Sequence, residues 1–280
     1  MAAARLDFRA MNKLRFAMIL ALCAPLCAPA AYADVPARAR QAFDDGRFIL
    51  AATLCEAEGS AEAYAFAARA RTADAITRDG DVCLDCLIHA EQSAQTAIDR
   101  DPKLAEGYVQ LAIAIGFHGR IVGSMEAQSE GLAEKGRAAI DKALELDPAN
   151  IWARASLGGW HLEIVHRAGS FLAGALYGAR EEDGLKLFQE ALTADPDSLL
   201  VHFHFALSIL ALDPERFRAE AAKALDAGYQ DPRADALTRF TRTHTEALRE
   251  LLKSGTGDEI AALVRRYQNY PPGVHASSAD

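Results

Sequence analysis

Large rings are scarce in this chain. Aromatic residues make up 8% of its 280 positions, and only two of them are tryptophan. Alanine is abundant instead, and alanine combines close packing with the best helix propensity, so the composition favours tightly stacked helices. No apolar run is long enough to span a bilayer as a stable anchor, since the longest, residues 16–26, is too short. Positive charge is in deficit: 30 Lys and Arg stand against 39 Asp and Glu, a net charge of −9. Such a surface repels nucleic acid and anionic lipid. No Gly-x-Ser-x-Gly, P-loop or His-Glu-x-x-His pattern occurs. No catalytic residue, metal ligand set or cofactor is therefore expected.

Hydrophobic residues reach 51%, ample for a sizeable core. The first 33 residues read as a leader outside that core. Arg5, Arg9, Lys13 and Arg15 form a basic start, the short apolar run follows, and Ala31-Tyr32-Ala33 offers the small-x-small pattern of signal-peptide cleavage. Removing residues 1–33 takes four basic residues and one acidic one, and the net charge becomes −12. The expected location is periplasmic, with no membrane span after cleavage.

Three segments share an Ala-apolar-x-x-Asp-Pro ending: residues 97–102, 143–148 and 191–196. A proline stops one helix and suits the first turn of the next, so each Asp-Pro reads as an elbow between helices. Tyr108, Leu111 and Ala112 follow the first elbow, Leu157 and Gly158 the second at matching offsets, and Phe205 and Ala206 the third. Phe188 precedes Ala191 by three, and an earlier unit starts near Ala61 with Tyr64, Ala67 and Ala68. Over roughly residues 60 to 230 this resembles the tetratricopeptide repeat (TPR) pattern of small, large and proline positions. The resemblance implies an all-α, TPR-like helical-hairpin solenoid whose concave face grips peptides.

The repeats are longer than the family's unit of about 34 residues. Their elbow prolines lie 46 and 48 residues apart. The surplus falls at one place in each, giving inserts over residues 116–131 and 163–183. Gly123-Ser124 and Gly169-Ser170 occupy the same register in the two inserts. Both read as lengthened helices broken near the Gly-Ser step, in the middle repeats of the solenoid. The organisation expected is a signal peptide at 1–33, a repeat domain at 34–254, and a short helix with a disordered tail at 255–280. Further helices are expected over residues 214–225, 232–252 and 258–267.

In so acidic a chain the inserts concentrate basic and aromatic side chains. Arg120, Arg154, Trp160, His161, His166 and Arg167 are the candidate ligand-binding residues, suited to a carboxylate or an acidic peptide. The alternative is that these charges satisfy the insert turns and pair with Glu163 and Glu126. His202 and His204 read as core or groove histidines. Cys83 and Cys86 suggest a structural disulfide, within the pair or from Cys55 to one of them. No β-run precedes them, as a redox pair would need, and no second Cys/His pair joins His89 to complete a metal site.

Two functions fit these observations. One is an exported scaffold that binds a protein or peptide partner, with a small anionic ligand as a further candidate. The other is a transport-associated module that binds a solute, its inserts walling a pocket. The leader gives a first prediction. Intact-mass analysis of protein from its native host should show a chain beginning at Asp34. A species that retains residues before Ala31, or that carries a lipid, contradicts it.

Overall fold

The computed structural model describes residues 34–78 and 83–268. The expected leader and the tail from Pro271 lie outside the described residues. Among the described residues there are twelve α-helices and no strand. They are α1 (Ala37–Asp44), α2 (Phe48–Glu58), α3 (Ala61–Thr77), α4 (Leu84–Arg100), α5 (Ala105–Ser129), α6 (Leu132–Leu146), α7 (Ile151–Leu172), α8 (Glu181–Ala194), α9 (Leu199–Leu212), α10 (Arg218–Gly228), α11 (Ala236–Ser254) and α12 (Gly257–Tyr267). A π-helical turn, Ala173–Tyr177, extends α7. None of these helices is long and apolar enough to cross a membrane.

The elbows form for a local reason. The carboxylates of Asp101, Asp147, Asp213 and Asp231 accept a hydrogen bond from the backbone N–H two residues on, at 2.9, 3.1, 3.0 and 2.9 Å. This side-chain turn competes with helix continuation, and the proline between its ends has no N–H to offer the helix. The N–H groups of Asp101, Asp147 and Asp195 close the preceding helices on the carbonyls of Ala97, Ala143 and Ala191. Ser60, Asn150 and Asp235 cap the next helices by accepting from Ala63, Ala153 and Thr238.

The hairpins stack into a solenoid. Each odd helix from α3 to α9 packs on its own partner, and α3, α5, α7 and α9 also pack side by side as an inner wall. The even helices α4, α6, α8 and α10 lie behind them. Ala97, Ala143 and Ala191 are fully buried at these contacts. One tight crossing joins α7 to α8. A Cβ on Gly158 would stand 3.0 Å from the Gly184 carbonyl oxygen and 2.9 Å from the Phe188 ring. A Cβ on Gly184 would stand 2.6 Å from Leu162.

Both inserts take the form expected of them. α5 and α7 run past the usual helix length and break at Gly123 (φ 83°) and Gly169 (φ 73°), a left-handed conformation that glycine adopts at little cost. Beyond the breaks, Met125 and Phe171 sit at equivalent positions and are both strongly exposed.

Elsewhere the structure extends or corrects the expectations. A further hairpin, α1 and α2, precedes the unit at Ala61; its small core holds Phe43, Phe48 and Phe66. The helix expected from residue 214 begins at Arg218, because Asp213 also accepts from the Arg216 N–H and holds residues 214–217 as turns. The helix expected from residue 232 begins at Ala236, where Asp235 caps it. The boundary after residue 254 cuts through packed structure: Ile260 and Val264 of α12 are buried in the core built around α9. Helix α11 also reaches back to α1 and α3. Its Leu237 joins the Phe43 core, and the Arg239 guanidinium donates to the Asp44 carbonyl at 3.1 Å.

The glycines supply a contrast. Gly158→Ala and Gly184→Ala should each destabilise the fold by about 1–3 kcal/mol, since the added methyl has no room. A Cβ at Gly116, also helical, meets nothing within 4 Å. Gly116→Ala should therefore stabilise by up to about 1 kcal/mol through helix propensity. Urea denaturation followed by circular dichroism measures both; equal effects would mean that the α7–α8 crossing is looser than described.

Candidate functional site

The inner helices enclose a groove of about 560 Å³. Its wall follows a helical stripe. Glu106, Gln110, Ile113 and Phe117 line it from α5, and Trp152, Ser156, Gly159 and Glu163 line it from α7. Leu200, His204 and Leu207 continue the stripe on α9. These positions recur at the same offsets after each elbow proline, and Gln110, Ser156 and His204 each lie eight residues beyond one. Spacings of four and three keep such residues on one helix face. Helix α11 contributes Leu237 to the wall.

A cluster of charges marks the insert end. Glu163 accepts from Arg120 Nε at 3.2 Å and from Arg167 Nε at 2.7 Å. The side chains of Arg120, Glu163 and Arg167 are only 16%, 17% and 15% exposed. Arg167 also donates to the Ser124 hydroxyl at 3.2 Å, which ties the two inserts together. The Arg120 guanidinium lies over the Phe117 ring, 5.6 Å from its centre. His204 meets the same ring edge-on, at 6.3 Å between ring centres. Burial, and then the nearby Arg120 charge, lower the His204 pKa to about 4. Its imidazole is thus neutral at ordinary pH.

Three of the six candidate residues line this groove: Arg120, Trp160 and Arg167. Trp160 is anchored from behind, its indole N–H donating to the Ala133 carbonyl at 2.9 Å and Arg137 stacking on its ring. The other three lie outside the groove wall. Arg154 donates to the Pro148 carbonyl at the elbow, at 2.6 Å. His161 is buried, and its Nδ1 accepts from the Arg180 N–H at 3.1 Å, closing the insert turn before α8. His166 bonds the backbone of Ala211. Burial depresses the pKa of both histidines, as it does that of His204. Of the two acids expected to take the arginine charges, Glu163 does so.

Sequence reasoning did not single out Gln110 or Ser156, and it read His204 only as a core or groove histidine. The available signal was the shared offset from the elbow proline. Cys83 and Cys86 are joined in a disulfide at the start of α4. Cys55 is buried as a free thiol, and burial followed by the charges of Glu58 and Glu56 raises its pKa to about 12. Among the described residues no three His, Cys, Asp or Glu side chains gather as a metal site would need. No protein-family model and no curated protein matches the chain.

The neutral histidines make stability depend on pH. Their folded pKa values lie below the unfolded value of about 6.5, so the unfolded chain takes up more protons in acid. The stability they contribute is complete above about pH 6.5 and is lost as pH falls towards the folded values. Thermal melts should therefore shift down between pH 7 and pH 5. The drop should be smaller in His204→Leu, which has no proton to take up at that site. An identical drop in the variant would mean that the His204 pKa is the same in the folded and unfolded chain.

Proposed function

We propose that this protein is an exported binding module of the tetratricopeptide-repeat type and that its inner groove is the ligand site. The observation that carries the reading is the groove itself. Its wall is an unbroken stripe from three successive inner helices, and its volume falls in the range of about 300–1,000 Å³ typical of small-molecule pockets. The repeat pattern supports the family, and the leader pattern supports export.

The occupant is a compact ligand. The TPR resemblance alone implies a peptide laid along an open concave face. Here α11 packs against α1, α3 and α9, and Leu237 forms part of the wall, so the groove is narrowed on that side. This favours the solute-binding reading over a scaffold that grips long segments. A role beside a transport system is consistent with it.

Gly116 allows a direct test. It lines the groove, and a Cβ placed there meets nothing within 4 Å. Gly116→Leu should keep the helical circular-dichroism signal and the melting temperature while filling the groove. Ligands retained by the wild-type protein in native mass spectrometry, or partners captured by crosslinking, should fall by about tenfold or more in the variant. Full retention by Gly116→Leu removes the groove as the binding site.

A further inference from the structure

The charged side chains of the groove wall are already committed to the protein. Glu163 accepts from Arg120 and Arg167 at the insert end. Glu106 accepts from the Gln110 amide at 2.7 Å, and Asp147 from the Asn150 amide at 3.2 Å. Arg69 lies over the Phe43 ring, 5.0 Å from its centre. An ion entering here finds its natural counter-charges engaged, and it must shed its own hydration to compete for them. Between these groups the wall is apolar, through Ile113, Trp152, Val201 and Leu207.

What the wall leaves unanswered is neutral. Thr72 on α3 and Gln268, just past α12, line the groove and are only 4% and 2% exposed. Among the described residues neither the Thr72 Oγ1 nor the Gln268 Oε1 has a hydrogen-bond partner. Gln268 Nε2 donates to the Leu207 carbonyl at 3.4 Å, so its own carbonyl is the unmatched end. One turn back on α9, the His204 imidazole lines the groove and makes no hydrogen bond among the described residues. Burial holds it neutral, so it can donate through one ring nitrogen and accept through the other. The Thr72 hydroxyl can do either, while the Gln268 carbonyl only accepts. Leaving such buried atoms unpaired is costly.

We propose that the groove binds an uncharged, mainly apolar molecule bearing at least one hydroxyl, which meets His204 and Gln268 while the apolar body lies along the α5, α7 and α9 stripe. Thr72 is available to a second hydroxyl. The proposal rests on the groove being the ligand site. A hydroxyl both donates and accepts, so it can serve all three side chains. A carboxylate only accepts, and it leaves the Gln268 carbonyl unanswered. The apolar wall rewards burial of the body.

The chain's two tryptophans, Trp152 and Trp160, both line the groove, so their fluorescence reports an occupant. Titration of the full chain with octan-1-ol, 1-fluorooctane, octanoate and octylammonium tests the proposal. Octan-1-ol should bind at least about fivefold more tightly than each of the others. Fluorooctane keeps the shape without the hydroxyl, and the two ions bring a charge whose partners are taken. His204→Phe keeps a ring; it should weaken octan-1-ol by about 5- to 10-fold and leave 1-fluorooctane unchanged. A merely structural histidine would lower both alike. Circular dichroism checks the variant, and if it does not fold, the ranking of the probes decides. Octan-1-ol bound no better than 1-fluorooctane or octanoate, or an equal loss of both neutral probes in His204→Phe, overturns the hydroxyl; if Gly116→Leu still abolishes that binding, the groove remains the site. Capture of a peptide that depends on Gly116, with no octan-1-ol binding, likewise overturns the ligand class and keeps the groove. Octan-1-ol binding that survives Gly116→Leu overturns both.

Discussion

Close approach between helices at small residues is the constraint from which the rest of this structure follows. Ala97, Ala143 and Ala191 are buried completely, and Gly158 and Gly184 bring α7 and α8 together almost backbone to backbone. No single hairpin buries its apolar face alone, so the stack exists only because neighbours come this near. Packed in this way, α5, α7 and α9 turn the same face inward. Residues at matching offsets then line one groove instead of being scattered over separate surfaces.

Within that groove electrostatics is organised by burial. Glu163 serves two arginines drawn from two repeats, and its position on the lengthened part of α7 brings the inserts into register. The histidines nearby are kept uncharged, so positive charge at ordinary pH resides on guanidinium groups alone. Arginine suits this role because it does not lose its proton when desolvated. The groove therefore keeps its guanidinium charge over a wide pH range.

The features legible in the sequence were those fixed by local chemistry. Asp-Pro elbows announce themselves because the aspartate closes a turn and the proline forbids a helical hydrogen bond. The breaks at Gly123 and Gly169 were readable because two glycines in one register point to a shared backbone need. Long-range features left weaker traces. Helix α9 buries ten of its fourteen residues, so its apolar pattern has no clear face to show that His204 points into a groove. His161 and Arg154 resemble ligand residues by type, yet each satisfies a nearby backbone group, and composition cannot separate the two uses. The α1–α2 hairpin carries no Asp-Pro elbow and so escaped the repeat search.

Helix α11 alters what kind of object the solenoid is. Stacked repeats are quasi-one-dimensional: each unit meets only its neighbours, and the ends can fray independently. Here a hydrogen bond joins residues 195 positions apart, and Leu237 completes the core around Phe43. Among the described residues the contact network thus closes into a ring. Closing so long a loop costs little more than closing a short one, because the entropy grows only with the logarithm of length. During synthesis the first core stays incomplete until α11 has left the ribosome. The first hairpin thus depends for its core on a residue near the other end of the described chain.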